Sequence, residues 1–261
     1  MIIEDVTGQK YEDYIQENLL EPLEMQNSFF RTDYFFDEIT QGNKVSFLQT
    51  RTYDALVYYG NIATGYLVSN TSDLMKWIKN VNNLIDFDEF VATNANHYYA
   101  GWNVYDDYVS HSGNNPNYCS QVIISRDNEL GVFALSALSG SSATDVAENI
   151  YRMHSGEKIK IGLYIDNNAL LDFIWIIAIL ILVYLMLLIQ INSKRKAVMI
   201  LIIGTIFILG VMLFPFLLHY NYFFLYVWCP ISFLALLLIS IGTAIIQICN
   251  SVIWLKNKNA I

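Results

Sequence analysis

Four consecutive residues, His111-Ser112-Gly113-Asn114, place an imidazole, a hydroxyl, a bare backbone and an amide within one short stretch. Taken alone they admit a modest reading. His111 sits in a tyrosine-rich strand, where it can be a half-buried histidine bonded to a neighbour, and Ser112 and Asn114 can be turn residues. The other reactive types are scattered. His97, His154 and His219 show no metal-ligand spacing and no clustered acids. Asp106-Asp107 reads as a solvated hairpin turn rather than a catalytic carboxylate pair, and the acidic stretch Glu12–Glu21 as a solvated helix face. Cys119, Cys229 and Cys249 form no disulfide framework. The last two lie on one expected helix, too far apart along it to pair. The 18 tyrosines could line a sugar or peptide groove, but core packing explains them as well.

The elements that must carry these residues follow from hydrophobic periodicity. Apolar residues at Tyr11, Tyr14, Ile15, Leu19 and Leu20 predict a helix within Gly8–Leu23, stopped at Pro22. Residues 24–60 have no clear period and read as loop with short pieces of structure. Asn70-Thr71-Ser72-Asp73 resembles a capping box ahead of a helix over Leu74–Val81. Tyr98–Ser110 alternates and predicts a strand pair. Ser120–Ser125 and Leu130–Ala137 predict two more strands joined by a hairpin at residues 126–129. A closing helix is expected over Thr144–His154. The composition is α+β with an antiparallel sheet.

Behind this front part the solvent changes. The chain carries a net charge of -9, yet residues 171–261 hold five Lys/Arg and a single acid, Asp172. Runs of about 20 apolar residues at 171–191, 197–218 and 223–248 are each long enough to cross hydrocarbon as a helix. Pro215 and Pro230 are expected to kink their spans, which neighbouring helices tolerate. No Asp, Glu, Lys or Arg lies deep in a span, so anchoring is a better reading than an ion path. Lys194, Arg195 and Lys196 between the first two spans, and Lys256 and Lys258 after the third, predict that these segments face the cytoplasm. The front domain, residues 1–165, then faces outward and the membrane domain covers 166–261. The expected location is the cell membrane, multi-pass, with lipid as a partner. The acidic front excludes nucleic acid as a partner.

Three stretches of the front domain resemble the serine β-lactamase-like family, which includes class C β-lactamases and penicillin-binding-protein-like hydrolases. Ile2-Ile3-Glu4-Asp5-Val6-Thr7-Gly8-Gln9, running on through Glu21-Pro22-Leu23, is similar to the family's helix after its second motif. Ala63-Thr64-Gly65-Tyr66-Leu67-Val68-Ser69 with Asp73-Leu74 is similar to its glycine-leucine-serine segment, with Tyr66 where a second glycine is usual. Gly101-Trp102, His111-Ser112-Gly113-Asn114 and the hairpin ending Gly131–Ser136 are similar to its third motif and closing strands.

The resemblance implies a partial β-lactamase/transpeptidase-like domain followed by three transmembrane helices. The implied chemistry is acyl-serine hydrolysis of an amide or ester, on a peptide-like, β-lactam or small-ester substrate, without a cofactor or metal. By position His111 would face the substrate's carboxylate or leaving group. Asn114 would lend its backbone N–H to an oxyanion hole. Gly113 would let the substrate lie against the backbone, and Ser112 would join them in binding it. The family's nucleophile sits in Ser-x-x-Lys, which occurs here only as Ser193-Lys194-Arg195-Lys196, in the link between two expected spans. Tyr59-Gly60-Asn61 matches the Tyr-x-Asn motif in letters but follows the helix it should precede. The expectation is therefore the C-terminal portion of a longer hydrolase, inactive alone, with both motifs upstream of Met1. The alternative is a non-catalytic extracellular peptide-binding or sensory module. A transport or assembly unit is a third option, disfavoured by the lack of charge within the spans.

Overall fold

The computed structural model describes residues 2–30, 39–56, 60, 62–84, 98–125, 130–159 and 166–259. The chain divides into two compact units, each taken separately below. One is Met1–Lys44 with Thr52–Asp166, and the other is Val45–Arg51 with Asn167–Ile261. The turn at 126–129, Tyr59, Asn61 and His97 lie outside the described residues.

In the front unit, α1 (Ile2–Thr7) is followed by α2 (Tyr11–Ile15), whose chain continues as a π-helical turn over Gln16–Leu20. The short strands β1 (Phe29–Phe30) and β4 (Leu67–Val68) pair antiparallel. Between them in sequence lie β2 (Asn43–Ser46), β3 (Gln49–Thr52) and α3 (Ile62–Gly65). The long helix α4 (Thr71–Leu84) follows β4. Five strands then make one antiparallel sheet in chain order: β5 (Tyr98–Tyr99), β6 (Trp102–Val104), β7 (Tyr108–Asn114), β8 (Cys119–Ser125) and β9 (Gly131–Ser136). Tyr98–Ser110, expected as two strands, contains β5, β6 and the start of β7. Helix α5 (Ser142–His154) closes the unit close to where periodicity places it.

β8 is buried almost throughout, and its alternation feeds two cores. Val122 and Ile124 join Val109, Trp102 and Val81, with Trp77 of α4 stacked on Trp102 at 6.1 Å. Ile123 points the other way, to Val132 and Ala147 of α5. Ala143 and Ala147 are fully buried, and their small side chains let α5 sit close on β8 and β9.

Helix α4 starts at Thr71, three residues before the expected Leu74, so Thr71–Asp73 form its first turn behind the Asn70 cap. Asn70 Oδ1 accepts the Asp73 N–H at 2.9 Å, the reach of an N-cap to the third helical residue. Asp73 does not return the bond. Its fully buried carboxylate instead accepts from the Asn27 N–H at 2.7 Å, Ser28 Oγ at 3.0 Å and Lys76 Nζ at 3.1 Å. Burial alone would raise this carboxyl. The bonds from Asn27, Lys76 and Ser28, with the Lys76 charge, outweigh burial and hold it below the usual carboxylate range.

The second unit contains three helices long and apolar enough to cross a membrane: α6 (Asn167–Leu188), α7 (Lys194–Leu217) and α9 (Ile231–Asn259). Helix α9 packs along both α6 and α7. Gly204 of α7 lies opposite Ile248 of α9, where a Cβ would come within 3.0 Å of the isoleucine side chain. The third apolar run is not one helix. A short α8 (Tyr222–Trp228) ends at Cys229, and α9 starts after Pro230, whose missing N–H and fixed φ break the run. Cys229 and Cys249 therefore lie on either side of this break.

Pro215 stays inside α7 and frees the carbonyl of Val211, four residues back, because proline cannot donate to it. The Tyr222 hydroxyl donates to that carbonyl at 2.6 Å. A hydroxyl thus replaces the lost backbone donor, as a water-poor environment requires.

Residues Val45–Arg51, the end of the β2–β3 hairpin, belong to this unit. Ser46 is fully buried, and its hydroxyl has no hydrogen-bond partner among the described residues. The two-residue tip, Phe47-Leu48, has both φ angles left-handed, at 52° and 57°. The Leu48 N–H donates to Asp172 Oδ2 at 2.6 Å, and Ser232 Oγ donates to Asp172 Oδ1. Asp172 is 0% exposed. The single acid of the apolar half is therefore a clasp joining the hairpin, α6 and α9.

Candidate active-site edge

The residues with chemical potential lie on β7, a central strand by sheet order that becomes an edge halfway along. Toward β8 it is paired over its whole length, from Tyr108↔Ser125 to Asn114↔Cys119. Toward β6 it is paired only at Val109↔Val104 and Ser110↔Asn103. From Ser112 onward that side carries no strand among the described residues.

The ladder decides which amides face the open side. The Asn115 N–H bonds the Tyr118 carbonyl at 2.8 Å, and the Tyr105 N–H bonds the Tyr108 carbonyl at 2.9 Å. Antiparallel pairing alternates in direction with a period of two. The backbone polar groups of His111 and Gly113 are therefore turned to β8. Those of Ser112 and Asn114 are turned to the side where β6 has ended. Two peptide N–H groups, spaced for an extended ligand, thus point outward from a rigid sheet.

Side chains alternate as well and separate the four residues. His111 and Gly113 share a face with Val109, the α4 side, while Ser112 and Asn114 share the α5 side with Ser110. His111 is exposed, and its Nε2 lies 3.3 Å from the Tyr98 hydroxyl. Ser112 is exposed, and its hydroxyl has no partner among the described residues. Asn114 Oδ1 accepts the Gly140 N–H at 3.2 Å, which fixes the strand against the loop before α5. Sequence reasoning assigns Gly113 to close substrate approach. The structure supplies another reason for glycine there, because a Cβ would run into the hydroxyl of its cross-strand partner Ser120.

Two residues that contact this edge are not evident from the sequence. Asn115 Nδ2 donates to the Gly65 carbonyl at 2.9 Å and so brings the Ala63–Ser69 segment to the end of β7. Gly65 itself leaves room for that amide, which would stand 3.2 Å from an added Cβ. The signal for Asn115 was its place in Asn114-Asn115-Pro116-Asn117, which marks a turn but not a clamp. Tyr98, the partner of His111, carries no local signal. Ser193, the serine of the one Ser-x-x-Lys match, is the N-cap of α7, and its Oγ accepts the Lys196 N–H at 3.2 Å. Lys194–Lys196 opens a membrane-unit helix and is not part of this edge. No group of three or more His, Cys, Asp or Glu residues could hold a metal among the described residues.

The sheet, the flanking helices and this edge define a β-lactamase-type domain. The family model for Beta-lactamase matches residues 1–156, and the chain belongs to that family. Among curated relatives, Protein flp of Staphylococcus aureus strain MW2 is 26% identical over 166 residues, covering 58% of this chain and 33% of the relative. The same protein from strains NCTC 8325 and COL matches over the same shares. The chain thus spans about a third of the length of the curated relatives it matches. Among solved structures, the octameric penicillin-binding protein homologue of Pyrococcus abyssi is similar over 61% of this chain and 41% of its own. It shares 23% sequence identity and a TM-score of 0.48.

Proposed function

We propose that the front unit forms the substrate-side wall of a membrane-anchored, β-lactamase-related serine hydrolase that faces the outside of the cell. One observation carries this reading: the amides of Ser112 and Asn114 point from a strand fully paired on its other side toward a side that no strand covers among the described residues. Donors held this way can stabilise the oxyanion of a tetrahedral intermediate without reorganising. An edge strand also aligns an extended acyl donor by main-chain pairing, as peptide-binding sheet edges do. His111, steadied by Tyr98, stands on one face, suited to a substrate carboxylate or leaving group. The exposed Ser112 hydroxyl stands on the other. The substrate class is a cell-wall-type D-amino-acid peptide, a β-lactam or a small ester.

Acyl transfer also needs an activated serine. Ser193 is committed to capping α7, so the nucleophile would come from a Ser-x-x-Lys segment outside these 261 residues. This chain by itself would bind without turnover. The arrangement of Lys194–Lys196, Lys256 and Lys258 supports a cytoplasmic placement for the α6–α7 link and the C-terminus. The open edge equally favours the second reading, a peptide-binding module that captures a strand without acylation.

Labelling intact cells with fluorescent penicillin or a fluorophosphonate separates the two. The protein would be captured with an antibody to residues 1–165. The hydrolase reading expects a labelled band above 30 kDa, the mass of this chain, that disappears when the serine of an in-frame Ser-x-x-Lys is changed. A native band at 30 kDa that resists both probes ends that reading for this chain and leaves the binding module.

A further inference from the structure

The hairpin tip Phe47-Leu48 has the wrong residues for its backbone. A two-residue hairpin with left-handed φ at both positions is a type I′ turn, which favours Asn-Gly because bulky side chains are strained there. Here a phenylalanine and a leucine occupy φ 52° and 57°. Neither is buried against the protein: Phe47 is 40% exposed and Leu48 56%. Turn chemistry and core packing both fail to account for them, so their apolar side chains face something else.

Their level along the helices indicates what that is. The Leu48 N–H is bonded to Asp172, which is five residues into α6 and one turn before Trp175. On either side of Asp172 the helix presents apolar residues outward, with Leu171 43%, Phe173 47% and Ile174 45% exposed. The tip is therefore fixed beside the first turns of an apolar helix, at the level where an indole, Trp175, packs on Phe233. Aromatic rings of this kind concentrate at the boundary between headgroups and acyl chains.

We propose that Phe47 and Leu48 form an interfacial membrane anchor, a hairpin tip that dips into the headgroup–acyl boundary of the leaflet at the α6 N-terminus. Its partner is lipid, and Asp172 sets its depth. This rests on α6 spanning the membrane and is independent of the hydrolase reading. It gives the chain a second lipid contact, drawn from the middle of the front half of the sequence and separate from the three helices.

The test is electron paramagnetic resonance of the full chain in phospholipid vesicles. Cys119, Cys229 and Cys249 are replaced by alanine, and nitroxides are placed one at a time at Phe47→Cys, Leu48→Cys, Phe173→Cys and Gln9→Cys. All four positions are exposed, so labelling does not disturb a core. Phe173→Cys reports α6 in lipid, and Gln9→Cys reports water. The anchor predicts that both tip labels collide with oxygen over a water-soluble nickel chelate at about three times the Gln9→Cys ratio or more, because oxygen partitions into the acyl region. Tip labels that match Gln9→Cys while Phe173→Cys is lipid-like overturn the anchor and leave the span intact. A water-like Phe173→Cys overturns the span itself, and the anchor with it.

Discussion

Removing the Asp172 carboxylate should release the β2–β3 hairpin from the membrane helices. Asp172 is fully buried, and each oxygen accepts a hydrogen bond, one from the Leu48 N–H and one from Ser232 Oγ. Leaving a donor unsatisfied by removing its buried partner costs about 1–3 kcal/mol. In Asp172→Ala the Leu48 N–H has no acceptor, and the two left-handed residues cost about 1–2 kcal/mol each with nothing to hold them. The hairpin loses its bond, while the turn strain that opening relieves is common to both chains, so the free energy for local opening of Val45–Arg51 should fall by about 1–3 kcal/mol. At about 1.4 kcal/mol per factor of ten, amide exchange across this segment should accelerate roughly 5- to 140-fold. Hydrogen–deuterium exchange of the full chain in nanodiscs reads this directly from the peptide covering residues 45–51. Asp172→Asn keeps one acceptor oxygen and turns an NH2 toward the other donor, so it should fall between the two. Exchange within two-fold of wild type in Asp172→Ala would refute the clasp and show that packing alone holds the hairpin.

Other perturbations test the remaining joints. Asp73 has its folded-state pKa depressed, so its stabilisation is complete above the unfolded value of about 3.9 and is lost as pH falls through the folded value. Thermal unfolding of the full chain should therefore weaken below about pH 4, with a shallower acid slope in Asp73→Asn; equal slopes would remove Asp73 from the account. Tyr222→Phe leaves the Val211 carbonyl without its donor and should cost the membrane unit about 1 kcal/mol in detergent unfolding, with no change if water fills the gap. Gly113→Ala drives a methyl into Ser120 and should cost about 1–3 kcal/mol, most of it recovered in Gly113→Ala/Ser120→Gly; additive losses would show that Ser120 is not the obstacle. Ser46→Ala removes a buried hydroxyl without a partner and should raise stability by up to about 1 kcal/mol, read as an increase in Tm.

What could be read from the sequence follows the range of each interaction. β8, β9, α5 and the Asn70 cap of α4 depend on neighbours within a few residues, and periodicity or cap chemistry places them within one or two positions. The α-helical spacing of Tyr11–Leu20 is also real, although its second half winds as a π-turn. Two of the three partners of Asp73 lie 45 and 46 residues away, so a capping-box pattern identified the helix start but not where the carboxylate points. The hairpin at residues 45–51 escaped notice for a sharper reason. Its tip breaks the residue preferences by which turns are recognised, and its stabilising bond comes from position 172. Asp172 itself registered only as the sole acid among apolar residues.

For the candidate site, the sequence locates a strand. Motif spacing picks out His111, Ser112, Gly113 and Asn114, and all four lie on β7. Alternation sends their side chains to opposite faces, so they do not converge as a cluster of side chains. What they share is backbone. Elsewhere in the described residues, irregular backbone and stranded polar groups tend to find partners. Tyr222 takes the carbonyl that Pro215 frees, Asp172 takes the tip amide, and Asn115 takes the Gly65 carbonyl. The open side of β7 is different. β6 stops after pairing Ser110, and the amides of Ser112 and Asn114 are left facing outward from a strand locked to β8 along its whole length. A sheet edge with free donors is a hazard that proteins usually cover, twist away or charge. Here the two donors lie at alternate positions between an exposed histidine and a clamped turn, where an extended acyl or peptide ligand would pair. On the proposed reading, this edge, open among the described residues, is where a ligand would pair, rather than at any single side chain.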